Sequence, residues 1–484
     1  MKKLFRTFCS ILSLASIFSA TTFAQYPEDA LRLSYSNLSV GARSLGIGSA
    51  FTAVADDYSA TFVNPAGLGQ LRMNELSLGM SHNGFGNTSS FYGSSQSLNN
   101  SSTNINSFGL VYAVPTTRGS FVIALGYGKQ SDFTSALSFS GFNPVSSLIQ
   151  SWAPDSGRTD DPGGNLAYEL YLANADSVGP SNYRWDSKIL NNVTQSGKVL
   201  EGGGINHWSA SAGVEAARNL YLGATVSFIS GSYSYTRTYR EADTRNIYET
   251  QPFDLASFEY INTITDDISG FNARLGLLYK INDRARFGMA IKTPSFITVR
   301  ETFSDEATSL FDNRDTYSYR LPDGRIEYDV RTPFQFSGGV AYDFSGLMLS
   351  GDLEYVDWSQ MEFANTDATL LALNPDIKQI FRPAANIRVG AEYTFSEADF
   401  HLRGGFAYLP SPYTDDPASF AQKFVTAGFG FSIENAIGID VGYSHGFWDT
   451  KHINYADYLN GNPTSETQEQ VSTNNVITSV SYRF

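Results

Sequence analysis

Along most of this chain, apolar residues alternate with small or polar ones at a period of two. In one segment Phe121, Ile123, Leu125 and Tyr127 interleave with Ala124, Gly126 and Gly128. Just before it, Phe108, Leu110, Tyr112 and Val114 interleave with Gly109, Val111 and Ala113. The pattern recurs with Ala273, Leu275, Leu277 and Tyr279 against Asn272, Arg274 and Gly276, and with Leu349, Leu353 and Tyr355 against Ser350, Asp352 and Glu354. It returns with Ile387, Val389, Ala391 and Tyr393 against Asn386, Arg388, Gly390 and Glu392, and with Leu402, Phe406 and Tyr408 against His401, Arg403 and Ala407. Ile437, Ile439, Val441 and Tyr443 against Gly438, Asp440, Gly442 and Ser444 repeat it once more. Such alternation predicts half-buried antiparallel strands. One face is greasy and often ends in an aromatic, as a barrel wall requires when lipid lies outside and the lumen is polar. A soluble β-sandwich alternates too. Here, however, charges fall mid-strand on what would be its only polar face.

Strand centres near residues 78, 110, 125, 212, 228, 274, 292, 336, 352, 389, 404, 427, 441 and 479 number about fourteen, and single-chain bacterial barrels have an even number of strands. Short turns near 116–118, 218–219, 282–283, 344–346, 396–398 and 434–435 alternate with long connections near 84–103, 131–206, 240–267, 303–332, 359–381, 411–420 and 450–472. This alternation puts every long loop on one side, expected to be extracellular, and returns both chain ends to the other. The 131–206 connection is the largest and holds a helix expected around 166–175. It reads equally well as a binding region or as a solvated loop.

The first residues change the setting. Lys2, Lys3 and Arg6 precede an apolar run over 8–18 and the small-residue site Thr22-Phe23-Ala24, so residues 1–24 read as a cleaved secretory signal peptide. The only cysteine, Cys9, falls inside it. The mature chain is therefore expected to hold no disulfide. Later segments lack the roughly 18 apolar residues of a membrane helix, so a membrane location requires a closed barrel. Over the whole chain 33 Lys+Arg face 48 Asp+Glu, an acidity that excludes nucleic acid as a partner. Charged residues are 17% and aromatics 14%, with 42 glycines, a balance unlike that of disordered chains or ordinary soluble enzymes.

Residues 25–73 are set apart as an N-terminal plug, and 74–484 as the barrel. Within the plug, GARSLGIGSAFTAVADDYSATFVNPAGLG (41–69) resembles the hatch of the FadL outer-membrane transport family. The family's Asn-Pro-Ala signature corresponds to Asn64, Pro65 and Ala66, preceded by Asp56 and Asp57. LSGDLEYVDWSQMEF (349–363) and the hairpin IRVGAEYTF…LRGGFAYLPSPYTDD (387–416) resemble its later strands. YPEDALRLS looks more like members from Bacteroidetes-type bacteria, some of which serve type IX protein secretion while others are labelled haemin receptors. The resemblance implies an all-β transmembrane antiparallel barrel with short hatch helices in its lumen. It also implies passive uptake of long-chain fatty acids or aromatic hydrocarbons, without cofactor or metal, across the outer membrane. The alternative is a FadL-like barrel serving protein secretion or acting as an interaction or structural protein.

Specific roles follow. Gly46, Gly48, Gly67 and Gly69 suit tight packing and movement of the hatch, Pro65 fixes a turn, and Asn64 and Asp57 could bond exposed backbone or lumen arginines. Arg274, Arg388 and Arg403 share the lumen register with Asp352, Glu354, Glu392 and Asp440. They could meet a carboxylate head, but pairing with those acids to hold the hatch is the favoured reading. Strand 475–484 ends in Phe484, which resembles the signal read by the barrel-assembly machinery. Lipopolysaccharide is the expected surrounding, and a monomer the expected state. Gly442-Tyr443-Ser444-His445-Gly446 matches a nucleophile elbow but lies mid-strand with no following helix, and Gly46-x-Gly48 is half a dinucleotide fingerprint without its preceding strand. Histidines 82, 207, 401, 445 and 452 show no metal-ligand spacing, so catalysis is not expected.

Overall fold

The computed structural model describes residues 27–153, 162–179, 182–251, 254–434, 436–457 and 462–484, so the leader expected over 1–24 lies outside the described residues. A closed antiparallel wall of fourteen strands surrounds a plugged lumen. The wall strands are β1 (Glu75–Phe91), β2 (Ser94–Val114), β3 (Phe121–Asp132, resuming as Ser135–Asn143), β4 (Val193–Ala217) and β5 (Leu220–Ala242). They continue with β6 (Leu255–Lys280), β7 (Ala285–Lys292, resuming as Phe296–Phe311), β8 (Gly324–Arg331, resuming as Gln335–Asp343) and β9 (Leu347–Asp357). The last five are β10 (Pro383–Phe395), β11 (Phe400–Leu409), β12 (Gln422–Ile433), β13 (Ile437–Asp457) and β14 (Asn462–Arg483). Closure comes from β14 pairing with β1, from Glu75 opposite Arg483 to Ser90 opposite Gln468. Reciprocal backbone bonds between Asn74 and Phe484 (3.2 and 3.1 Å) finish the seam. Pro294 and Pro333 sit at the breaks in β7 and β8, where a residue without an N–H cannot continue a ladder.

The outward face tells where lipid ends. On β5, Leu222, Val226 and Phe228 are exposed, followed outward by Ser230, Ser232, Ser234, Thr236, Thr238 and Arg240. The apolar part, from Leu220 to Phe228, covers about 27 Å of strand at about 3.3 Å per residue. Tilted as barrel strands are, this suits the hydrocarbon layer. Above the lipid the outward face needs no apolar side chains, but the backbone still pairs. This is why 84–103, 240–267, 303–332 and 450–472, expected as loops, are largely strand instead. The β1–β2 turn is only Tyr92-Gly93, both at positive φ (44° and 80°). The 131–206 connection does carry irregular structure, with single helical turns at Ile149–Trp152 and Leu166–Glu169 and a hairpin of Asn174–Gly179 with Asn182–Asp186. The helix expected over 166–175 stops after that one turn.

The wall is uneven in height. β4, β5 and β6 have 25, 23 and 26 residues and β13 and β14 have 21 and 22, whereas β9 to β12 have 11, 13, 10 and 12. Short helices and turns over 358–381 and 410–421 cover the low side. A groove of about 370 Å³, lined by Tyr413, Asp416, Phe420, Lys451 and Glu466 among others, lies where low wall meets high wall.

Candidate functional site

The plug consists of α1 (Pro27–Ser34), α2 (Ala42–Gly46), α3 (Ala60–Val63) and a 3-10 turn over Pro65–Gln70. Most of its residues from Ala42 to Gly69 are buried. Asn64, fully buried, pins it: its amide donates to the Thr52 carbonyl (2.7 Å) and to the Leu277 carbonyl of β6 (3.0 Å), while its oxygen accepts from Ala66 N (3.2 Å). Pro65 follows as the first residue of the 3-10 turn, where its missing N–H leaves no bond unmade. Asp57 is used locally, accepting from Ser59 N (2.8 Å) and Ser59 Oγ (2.5 Å).

Asp56 belongs to a string of alternating charges that crosses the lumen. Arg403 of β11 donates to Asp440 of β13 (2.5 Å) and to Glu392 of β10 (2.6 Å). Arg43 of α2 forks onto the same Glu392 with two 2.8 Å bonds, and its other nitrogen bonds Asp56. Arg286 of β7 closes the string on Asp56 at 3.3 Å. Three guanidiniums and three carboxylates thus tie four wall strands to the plug, and each of the six has a partner of opposite charge among the others. Asp352 of β9 accepts from Thr52 N (2.8 Å), and Arg274 donates to the Val63 carbonyl (3.2 Å). Arg388 pairs with Glu354 (2.9 Å), which also accepts from Asn386 (2.9 Å). Each of the three arginines expected in the lumen therefore bonds a protein group.

The plug and wall meet backbone to backbone at glycines. Gly48 has φ +66°, and a Cβ there would lie 2.8 Å from both Phe406 N and Val389 O. A Cβ on Gly405 would overlap Gly48 and Ile47, one on Gly390 would overlap the Ile47 carbonyl, and one on Gly442 the Ala42 carbonyl. Within the plug, a Cβ on Gly67 would overlap the Ala55 carbonyl. The sequence reading missed Arg43, Arg286 and Thr52, and missed these wall glycines as a counterface. Their recurrence on the lumen-facing register of separate strands was the available signal.

Where α1 meets the wall lies an apolar cluster. Ala30, Leu31 and Leu33 of α1 pack there among Phe133, Ile205, Ile229, Ile268, Val299 and Trp358. The β2–β3 ladder ends at Ser107 opposite Gly128, and β3 continues along β4 alone, which leaves a slit in the wall. Side chains fill it. Asn83, Ser102 and Asn104 donate to Asp132 (2.9, 2.9 and 3.2 Å), Lys129 pairs with it at 2.9 Å, and the plug's Asn37 accepts from Asp132 N (3.1 Å).

A closed barrel of this strand number, with an N-terminal plug keyed into a charged lumen, defines an outer-membrane channel. The family described as "Outer membrane protein transport protein (OMPP1/FadL/TodX)" matches residues 202–484, more than half of the chain, and the chain belongs to that family. It is an outer-membrane transport protein, not an enzyme. In fold it is similar to a Pseudomonas aeruginosa FadL homologue (14% identity over 93% of this chain and 100% of that one, TM-score 0.60). It is likewise similar to the P. putida toluene transporter TodX (14%, 92% and 98%, TM-score 0.54) and to the CymD monoaromatic hydrocarbon channel (14%, 93% and 98%, TM-score 0.51). No curated protein matches the sequence significantly.

Proposed function

We propose that this protein takes up hydrophobic small molecules, long-chain fatty acids or aromatic hydrocarbons, by passive diffusion through the plugged barrel. The observation that carries the reading is the apolar cluster inside the barrel, formed between the wall and a short helix of the chain itself. An apolar site with few polar groups suits a greasy ligand, and a helix of 8 residues held mainly by Ala30, Leu31 and Leu33 is an occupant that such a ligand can replace. The slit beside β3 would supply a way out that avoids the plug's bonded seat once the side chains gathered on Asp132 part. In this proposal the chain inserts as a monomer among lipopolysaccharide, with β14 and its terminal Phe484 presented to the barrel-assembly machinery.

One observation favours a second reading, a barrel serving secretion or protein interaction: plug and side chains fill much of the lumen. Uptake of labelled oleate and of labelled toluene by a channel-deficient strain separates the two. Uptake restored by this protein, and altered by a combined Asn64→Ala, Pro65→Ala plug variant, supports transport. No uptake of either from a folded, surface-exposed barrel favours the interaction reading.

A further inference from the structure

The wall is lowest over β9 to β12, and this notch leaves a strand edge without a neighbour. β12 pairs with β13 only as far as Lys423 opposite Phe447. β14 goes on pairing with β13 beyond that point, from Trp448 opposite Val471 to Asp457 opposite Asn462. Between Trp448 and Ile453 the ladder has no register shift, so β13 runs there as a regular strand bonded on one side. Alternate N–H and C=O groups of such a strand point away from its one partner. Among the described residues no turn or loop backbone bonds them. The far side of the notch is built differently. There Thr316–Arg320 pairs with β7, and Leu321-Pro322-Asp323 interrupts it before pairing resumes at Gly324. A proline and a break protect a sheet edge from further pairing. β13 has neither between Trp448 and Ile453.

The bare edge borders the groove of about 370 Å³. To its lining β13 and β14 contribute Lys451 and Glu466, and the β11–β12 connection contributes Asp415, Asp416 and Phe420 among others. The charge of this lining is uneven. Its one base, Lys451, is already paired with Glu466 (3.2 Å). Asp416 accepts from Ser411 Oγ (2.5 Å), a neutral donor, and Asp415 is exposed. Asp449 stands two residues before Lys451 on the same face of β13. That face is the outward one, since Phe447 and Ile453 on it are exposed. The edge and the groove therefore open on the cell surface, with three carboxylates for which the groove holds no free cation.

We propose that this notch docks an extended basic polypeptide, added to the bare edge of β13 as a further strand, with its cations toward Asp415, Asp416 and Asp449. A row of main-chain donors and acceptors is matched in spacing by another extended chain. The acids beside it favour a chain rich in lysine or arginine. The inference goes beyond uptake and does not rest on it, because the edge faces outward and not into the lumen.

The test uses the whole protein in detergent, with a fluorescent peptide of Thr-Lys repeats and its Thr-Glu counterpart as probes. Barrel folding is checked by the resistance of the unboiled protein to SDS. The basic peptide is expected to bind at least roughly tenfold more tightly than the acidic one, and to slow hydrogen exchange at Trp448–Ile453. Methylating one alternate set of its amide nitrogens should abolish binding, and methylating the other set should not, since only one set faces β13. The Asp415→Lys, Asp449→Lys double variant should weaken binding of the basic peptide at least roughly fivefold, while oleate and toluene uptake stay as in the unaltered protein. The methylation comparison needs no variant, and it decides the matter if the double variant does not fold. Equal binding of the two methylated peptides, or exchange slowed elsewhere but not at Trp448–Ile453, overturns the inference. So does the absence of peptide binding by a folded barrel, or protection of that edge by lipopolysaccharide or a second copy instead. Uptake measured in the same cells reports on transport separately, so either reading can fail without the other.

Discussion

Asn64 is one side chain that makes three bonds at no exposure, so its replacement should set the plug loose by a calculable amount. In Asn64→Ala the Ala66 N–H loses its cap, a loss of about 1 kcal/mol, and the Thr52 carbonyl is left unbonded inside the barrel at about 1–3 kcal/mol. The Leu277 carbonyl keeps its place in the β6 ladder, so little is added there. The sum, about 2–4 kcal/mol, raises the population of an unseated plug by roughly thirty- to sevenhundredfold. Asn64→Asp keeps the shape but turns a carboxylate oxygen toward two carbonyl oxygens, and should loosen the plug further than alanine does. Hydrogen exchange of residues 41–73 in the folded barrel, alongside leakage of a small chromogenic antibiotic into cells, reads both effects. If exchange in both variants matches wild type while the barrel stays folded, Asn64 is not the pin and the reasoning is wrong. If alanine proves worse than aspartate, the loss lies in the cap and not in the carbonyl contacts.

Other consequences are sharp enough to check. Arg403→Met strands Asp440 and removes one of the two guanidiniums on Glu392, so the folded barrel should lose about 3–5 kcal/mol, seen as earlier heat-induced loss of the fast-migrating folded band. Gly405→Val drives a side chain into the backbone of Ile47 and Gly48, which no rotamer change can relieve. Plug residues 41–50 should exchange freely in that variant while the wall strands stay protected. Asp266 lies beyond the lipid band, level with the outward Asp267 and Arg300, and its carboxyl is pushed up to about 8 by burial and then by Glu301. The folded protein thus holds a proton that the unfolded chain gives up near its ordinary value. Stability should therefore fall as pH rises from about 4 to about 8, and Asp266→Asn should flatten that slope in thermal melts.

Much of the wall could be read from alternation alone, because lipid forces every second residue of Leu220–Phe228 or Leu275–Tyr279 to be apolar. Where the strands leave the lipid this rule lapses, and Ser95, Ser97, Asn99 and Ser101 look like loop while forming a long hairpin with β1. The acids and arginines of the lumen were visible as types on one register, but their partners were not. Nothing in the spacing of Arg43 and Glu392, 349 residues apart, announces a forked ion pair. The α1 segment was harder still. As YPEDALRLS it carries too few apolar residues to stand out, and only the closed wall shows that Leu31 and Leu33 have an apolar cluster to join.

The glycine contacts between plug and wall bear on how the molecule is made. Gly390, Gly405 and Gly442 lie on three different strands, and each touches plug backbone with no space for even a methyl group between them. A finished cylinder would have to part those strands to admit the plug from below. The order of synthesis offers a simpler course: residues 27–73 precede every strand, so the plug can be in place while β1 to β14 curl around it and the last strand joins the first. On this view the N-terminal segment is a mould for the cylinder as well as its stopper, and a chain lacking it should close slowly or at the wrong curvature.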